Sequence, residues 1–455
     1  MQTSENDTNS TLKLDTSLAS NTAGFDAHEP PDPSLINACV HCGFCLTTCP
    51  SYRVIGKETD SPRGRIYLMD AINQGEAPLS EVAVSHFESC LGCLACTTAC
   101  PSGVQYDRLI DSVRSQVNRN HQRPLPVQLL RQLIFSLFPY PDRIRLLLSP
   151  LALYQWSGVS RLIRRTGLLD RFTPQLAAME SLLPTVTPQC FQDNLPDIVP
   201  AQGQQRYRVG MILGCVQRVF FSNVNEATAR VLSANGCEVI IPKSQGCCSA
   251  LPAHQGETAQ AEALARQMID SFADTDVDYI IINAAGCGHT LKDYGHILKD
   301  DPAYCDRAKA FSNKVKDIQE FLTDVGLTAK LSPLTQEPLK LVYQDACHLR
   351  HGQGITQPPR QLLRQIPNVT VVDPIDAELC CGSAGVYNML QPDVANQLGQ
   401  MKAANLVNTG ATLIASSNPG CALQIKKHLP NQSRVLPLMH PIELLDKAIM
   451  GESLD

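Results

Sequence analysis

Cys39-Val-His-Cys42-Gly-Phe-Cys45-Leu-Thr-Thr-Cys49-Pro50 and Cys90-Leu-Gly-Cys93-Leu-Ala-Cys96-Thr-Thr-Ala-Cys100-Pro101 share one spacing, C-x2-C-x2-C-x3-C-P. Three cysteines at this spacing wrap one loop around an iron–sulfur cubane, and the fourth is carried away to reach a second cluster. The spacing assigns Cys39, Cys42, Cys45 and Cys100 to a first [4Fe–4S] cluster. Cys90, Cys93, Cys96 and Cys49 then take the second. Gly43 and Gly92 let backbone amides approach the sulfurs, where hydrogen bonds raise the reduction potential. Zinc is the rival for clustered cysteines, but zinc sites use separated pairs rather than a triplet followed by Cys-Pro.

Between the motifs, Ser61-Pro62-Arg63-Gly64-Arg65 starts a helix, with Ser61 as N-cap and Pro62 at the first helical position. Arg63 and Arg65 are either solvated or placed to balance cluster charge or dock a redox partner. Residues 39–120 thus read as a helical two-cluster domain of ferredoxin type. Before it, residues 1–38 carry six acidic residues and one lysine among Ser, Thr and Asn, which reads as a disordered tail. The tail lacks the basic and apolar pattern of a signal peptide and the arginines of a transit peptide. A cytoplasmic chain keeps its thiols reduced, so 19 cysteines point to metal rather than to disulfides. The net charge of −6 argues against a nucleic-acid-binding surface.

The 455 residues exceed one ordinary domain, and the last 249 are an internal repeat. Cys215, Cys247-Cys248 and Cys287 form C-x31-C-C-x38-C; Cys347, Cys380-Cys381 and Cys421 form C-x32-C-C-x39-C. Matching cysteines are offset by 132 to 134 residues. The β-branched runs around them repeat as well: 208–215 with 340–347, 238–242 with 370–374, and 279–283 with 412–416. Such runs read as buried strands, and the stretches 258–271 and 393–407 between them as helices. The alternation predicts two tandem α/β domains with parallel sheets, at 207–335 and 336–455, with a cysteine following a strand where ligand sites gather. Each half offers four thiolates, enough for a further iron–sulfur cluster or another redox function, and the Cys-Cys pairs read as preceding helices that would lower their pKa. The alternative is buried thiols in a duplicated scaffold. His289 and His348 read as ordinary polar residues.

Residues 121–206 form a basic helical linker. Within it, 121–171 holds eight arginines and two aspartates, with apolar runs at 133–140 and 146–154 and the only tryptophan, Trp156. A basic amphipathic stretch packs as a linker, docks a partner or lies on a membrane surface. No run is long enough to span a bilayer. There is no G-x-G-x-x-G and no P-loop, so hydride chemistry sits elsewhere, and no residue of this chain is assigned a catalytic role. The fold expectation is a multidomain α+β and α/β chain: ferredoxin domain, helical linker, two duplicated cysteine-rich domains.

The repeat resembles the paired cysteine-rich domains, named for a Cys-Cys-Gly motif, of the heterodisulfide reductase superfamily. Cys380-Cys381-Gly382 keeps the motif, whereas Cys247-Cys248-Ser249 departs from it. In the fullest form each domain ends in C-x2-C; here Ala284 and Asn418 take the first of those positions. The order of domains, over residues 35–450, resembles the iron–sulfur subunits of glycolate oxidase (glycolate dehydrogenase). So do the first motif, the Ser-Pro-Arg-Gly-Arg-Ile-Tyr segment, Thr98-Ala-Cys-Pro-Ser-Gly-Val, Asn283-Ala-Ala-Gly-Cys-Gly and Gln344-Asp-Ala-Cys-His. The resemblance implies partner flavoprotein subunits, which would hold FAD and oxidise glycolate or D-lactate to the 2-oxo acid. This chain would pass electrons toward a quinone or similar acceptor, in the cytoplasm or at the cytoplasmic face of a membrane. Rival readings are the corresponding subunit of anaerobic glycerol-3-phosphate dehydrogenase, a disulfide reductase with the repeat catalytic, and an adaptor whose repeat binds no metal. The missing C-x2-C cysteines argue against the reductase.

Overall fold

The computed structural model describes residues 24–166 and 186–454; the first 23 residues of the tail and residues 167–185 of the linker lie outside the described residues. The β-branched runs form two sheets. The first contains β1 (Ile198–Val199), β2 (Tyr207–Met211), β3 (Cys237–Ile240), β4 (Tyr279–Ile282) and β5 (Val315–Asp317), in the order β1-β3-β2-β4-β5. The second contains β6 (Leu339–Gln344), β7 (Val369–Val372), β8 (Leu413–Ser416) and β9 (Leu438–Met439), in the order β7-β6-β8-β9. All pairings are parallel except that of the edge strand β1. Removing β1 leaves two identical strand orders, so the duplicated cysteine pattern is a duplicated fold. The strand β1 falls inside the stretch assigned to the linker, and its apolar pair is too short to register as a strand in sequence.

The two halves exchange their last helices. Helix Ile318–Val325, which follows β5, packs on helix Pro358–Arg364 of the second half. Helix Pro441–Met450, which follows β9, packs on helix Ser222–Ala234 of the first half. Their apolar faces meet in one core that runs from Val209, Val231 and Leu232 through Leu341 and Leu362 to Ile442 and Leu445. The Arg230 guanidinium closes the seam on Asp446 at 2.7 Å. Both exchanged helices start with a capping box, Asp317 with Glu320 and His440 with Glu443.

The ferredoxin-type module is helical and sits across both halves. Ser61 Oγ accepts from the Gly64 amide at 3.0 Å and starts helix Pro62–Asn73 as expected. Helix Tyr106–Asn120 faces the first half, where Arg108 holds Asp293 through two hydrogen bonds of 2.6 Å. On the second half, the Tyr387 hydroxyl donates to the Ser89 carbonyl at 3.2 Å, and Arg53 pairs with Asp376. Residues 24–38 are ordered, contrary to the tail reading. Asp26 bonds Gln116, Arg119 and Asn120, and the short helix Pro33–Asn37 buries Ile36. Composition counted these acidic groups as solvated, whereas Asp26 finds partners on helix Tyr106–Asn120 and Glu29 pairs with Lys299.

The linker forms helices Leu125–Leu137, Pro141–Trp156 and Val159–Thr166. Arg123 pairs with Glu88, Arg131 with Glu257, and Arg145 with Asp193. Leu125, Leu129 and Leu133 on the first helix, and Leu146, Leu153 and Trp156 on the second, are exposed. Among the described residues no helix is long and apolar enough to cross a membrane.

Candidate functional site

The eight motif cysteines surround two adjoining cavities. One is lined by Cys39, Cys42, Cys45 and Cys100, the other by Cys49, Cys90, Cys93 and Cys96. Cys96 also reaches the first cavity, and Pro62 and Tyr106 form a wall common to both. The crossing comes from two short helices. Phe44–Thr48 and Ala95–Ala99 each follow a triplet loop and end at an extended cysteine, Cys49 or Cys100, which is thereby delivered to the opposite cavity.

The triplet loops are tight because each bends twice into the left-handed region. Those bends fall at the same two motif positions: His41 (φ 53°) and Gly43 (φ 84°) in the first loop, Gly92 (φ 62°) and Leu94 (φ 63°) in the second. Each loop therefore spends one glycine and strains one ordinary residue. The Gly92 amide approaches Cys90 Sγ at 3.4 Å, as the sequence suggests for a glycine there. A side chain at Gly43 would meet Arg63 Nη1 at 2.9 Å, and one at Gly92 would meet Arg114 Nη1 at 3.0 Å. Both loops are thus closed over by guanidinium groups.

Electrostatics fit an anionic occupant. Arg65 is fully buried and lines the second cavity, donating to Ser51 Oγ, Ser89 Oγ and the His86 carbonyl. Burial pushes the Cys93 and Cys96 thiols well above the ordinary range. Such sulfurs become thiolates only against a compensating positive charge, which iron supplies. Four convergent thiols per cavity, amides aimed at sulfur and a buried arginine together match the requirements of an iron–sulfur cluster. The two cavities differ in access: Cys42 is exposed between the exposed Val40 and Phe44, whereas Cys49, Cys90, Cys93 and Cys96 are all buried.

The repeat cysteines also converge, one set in each half. Cys215 Sγ lies 3.5 Å from Cys247 Sγ, and Cys248 neighbours Cys287. In the second half Cys347 neighbours Cys380, and Cys381 neighbours Cys421. Cys247-Cys248 sits directly before the short helix Ala250–Ala253, as expected, whereas Cys380-Cys381 is separated by a loop from the next helix, Tyr387–Leu390. Cys287 and Cys421 instead occupy the first turns of helices Ala285–Lys292 and Pro419–His428. Ser249 (φ 62°) keeps the left-handed conformation that Gly382 (φ 84°) has at the matching position, so the departure from Cys-Cys-Gly changes the residue and not the turn. Cys93 of the second cavity shares an apolar cluster with Leu379 and Cys380, against which Cys347 packs.

Comparison with known proteins agrees with this layout. Residues 35–104 match the family "4Fe-4S dicluster domain", and 209–292 and 341–426 both match "Cysteine-rich domain". Residues 126–183 match "Glycolate oxidase iron-sulfur subunit, linker region". The chain is 39% identical to the "Probable glycolate oxidase iron-sulfur subunit" of Bacillus subtilis, over 85% of this chain and 88% of that one. It is 34% identical to the "Glycolate oxidase iron-sulfur subunit" of Escherichia coli, over 92% and 95%. The "Lactate utilization protein A" of an Exiguobacterium is 28% identical, covering 53% of this chain and 98% of its own length. The chain belongs to the glycolate oxidase iron–sulfur subunit family.

As in that family's dicluster and cysteine-rich domains, the chain is an iron–sulfur electron-transfer protein. The sequence reading missed two features of its sites. His254 joins His289 and His348 in a half-buried group with ring centroids 4.8 to 6.0 Å apart, and His348 Nδ1 lies 3.5 Å from Cys347 Sγ. The second feature is a set of interior charges near Cys347, with Asp345 gripped by Arg360 at 2.7 and 2.9 Å. His254 carried no spacing signal. Asp345 is the aspartate of the Gln344-Asp-Ala-Cys-His motif but gave no sign of being buried.

Proposed function

We propose that this chain is the electron-transfer subunit of a flavin-dependent 2-hydroxy-acid dehydrogenase whose preferred substrate is glycolate, oxidised to glyoxylate. Cys39, Cys42, Cys45 and Cys100 hold one [4Fe–4S] cluster; Cys49, Cys90, Cys93 and Cys96 hold the other. The observation that carries this is the pair of adjoining cavities with crossed thiol sets. Each cluster, when bound, accepts and releases one electron at a time. The chain's own residues hold the two sites side by side, shield the second from water and leave the first accessible at Cys42. Cys347, Cys380, Cys381 and Cys421, with their counterparts Cys215, Cys247, Cys248 and Cys287, supply ligands for a further iron–sulfur centre.

Substrate oxidation belongs to flavoprotein subunits carrying FAD, and electrons leave toward a quinone-type acceptor. The exposed leucines and Trp156 of the linker give a surface for a partner or for the cytoplasmic face of a membrane. The relatives named for lactate utilization make D-lactate the second substrate to assay. The decisive experiment is affinity purification of the chain from its native cells, followed by assay of the co-purifying fraction. Glycolate-dependent reduction of a quinone analogue, with bleaching of the iron–sulfur absorbance, is expected. Purification with no flavoprotein, or with one that oxidises glycerol 3-phosphate and not glycolate, would overturn the reading.

A further inference from the structure

The cysteine offset aligns the two halves residue by residue. Asp345 corresponds to Leu213, Arg360 to Thr228 and, where the buried faces of helices 258–271 and 392–407 match, Lys402 to Met268. The first half surrounds its cysteines with a neutral network. Asn283 Nδ2 donates to Asn225 Oδ1 and Thr228 Oγ1, Asn225 Nδ2 donates to the Leu213 carbonyl, and Gln245 braces the Met211 and Leu213 backbone. In the second half the corresponding interior is charged. Asp345 is neutralised by Arg360 and Arg350. Lys402 is then left over.

Lys402 is 0% exposed. Its ammonium donates to the carbonyls of Ala377 at 2.7 Å and Asp376 at 3.5 Å, in the loop that leads to Cys380. Among the described residues no carboxylate lies within ion-pair distance of it. The negative groups that face it are Asp345, already paired, and the sulfurs of Cys380, Cys381 and Cys421. A buried ammonium with only carbonyl partners is strongly disfavoured unless an anion sits nearby. The four cysteines of the second half are the place for that anion. The first half presents Met268 instead, inside a wholly apolar helix face with Leu264, Ala265 and Ile269.

We propose that Lys402 is the fixed countercharge of an anionic centre held by Cys347, Cys380, Cys381 and Cys421, and that it sets the reduction potential of the second half above that of the first. This rests on the reading that the repeat binds a metal centre. Adding one electron there increases the local negative charge by one, and a buried cation at fixed distance favours that state without any proton transfer. The second half is also the half whose cysteines adjoin Cys93, so the site that receives electrons most readily lies against the inner ferredoxin site.

The test is an EPR-monitored redox titration of the full chain with Lys402→Met and Lys402→Arg. Wild type is expected to show a third signal beyond two cubanes. In Lys402→Met that signal moves to lower potential, by about a tenfold change in the reduced-to-oxidised ratio, or about 59 mV for a one-electron couple. The two ferredoxin signals stay in place, and Lys402→Arg keeps the wild-type potential. A third signal unmoved by Lys402→Met overturns the proposal while leaving the metal reading intact. A wild-type chain with no third signal overturns the metal reading and the proposal together. Lys402→Gln replaces the methionine variant if the latter loses the ferredoxin signals, which report the fold.

Discussion

Cys49 and Cys100 are each separated from their own triplet by one turn of helix and an extended cap, and that small displacement decides which cavity they enter. Cys100→Ser is therefore expected to give the EPR spectrum of Cys42→Ser, and Cys49→Ser that of Cys93→Ser. If each serine variant instead loses the signal of its own motif, the crossed assignment is wrong. Arg65 is a second residue on which much depends. It is fully buried between Ser51, Ser89 and the His86 carbonyl, with Asp60 3.8 Å away. Removing one partner of a buried charged network leaves the other uncompensated, so Arg65→Met should destabilise by about 3 kcal/mol in urea unfolding. A change within experimental error would assign Arg65 no structural load.

Two elements carry predictions of their own. Helix Pro62–Asn73 is pressed against the turn Glu58–Asp60 so closely that a methyl group at Gly64 would stand 2.0 Å from the Glu58 carbonyl oxygen. Gly64→Ala should then cost about 1–3 kcal/mol, measured as a lower denaturation midpoint. Helix Pro441–Met450 starts at His440, whose Nδ1 accepts from the Ile442 amide while Nε2 donates to the Asn283 carbonyl at 2.9 Å. Both nitrogens are committed in the neutral form, and burial lowers its pKa from 6.5 to about 4. Between those values the unfolded chain binds the extra proton, so stability is complete above pH 6.5 and is lost as pH falls through 4, by up to about 3 kcal/mol. His440→Asn, which can still cap, should flatten the pH dependence of the urea midpoint; parallel curves would exclude this role. Strands with four or more β-branched or apolar residues were legible in sequence, as were Ser61, Pro62 and the dicluster domain. The strands β1, β5 and β9, of two or three residues, were not, because so short a run carries no period. Lys402 and Asp345 escaped notice because a charge reads as surface until its neighbours in space are known. Laying one half of the repeat over the other would have exposed them.

At the scale of the whole molecule, the repeat is one folding unit although it looks like two. Helix Pro441–Met450 completes the core of the first half as much as that of the second. Deleting residues 441–455 should therefore leave both halves open to limited proteolysis, with cleavage near β2 as well as near β6. Protection of the first half alone would show that it folds independently. The same exchange has a consequence for synthesis. The first half emerges from the ribosome with its core unfinished, and the helix that closes it follows roughly a hundred residues later. At about 5–20 residues per second that is a wait on the order of 5–20 s. Throughout it Cys215, Cys247, Cys248 and Cys287 stand without their final enclosure, open both to cluster-loading factors and to oxidants. How quickly translation ends thus helps decide which of the two reaches them first.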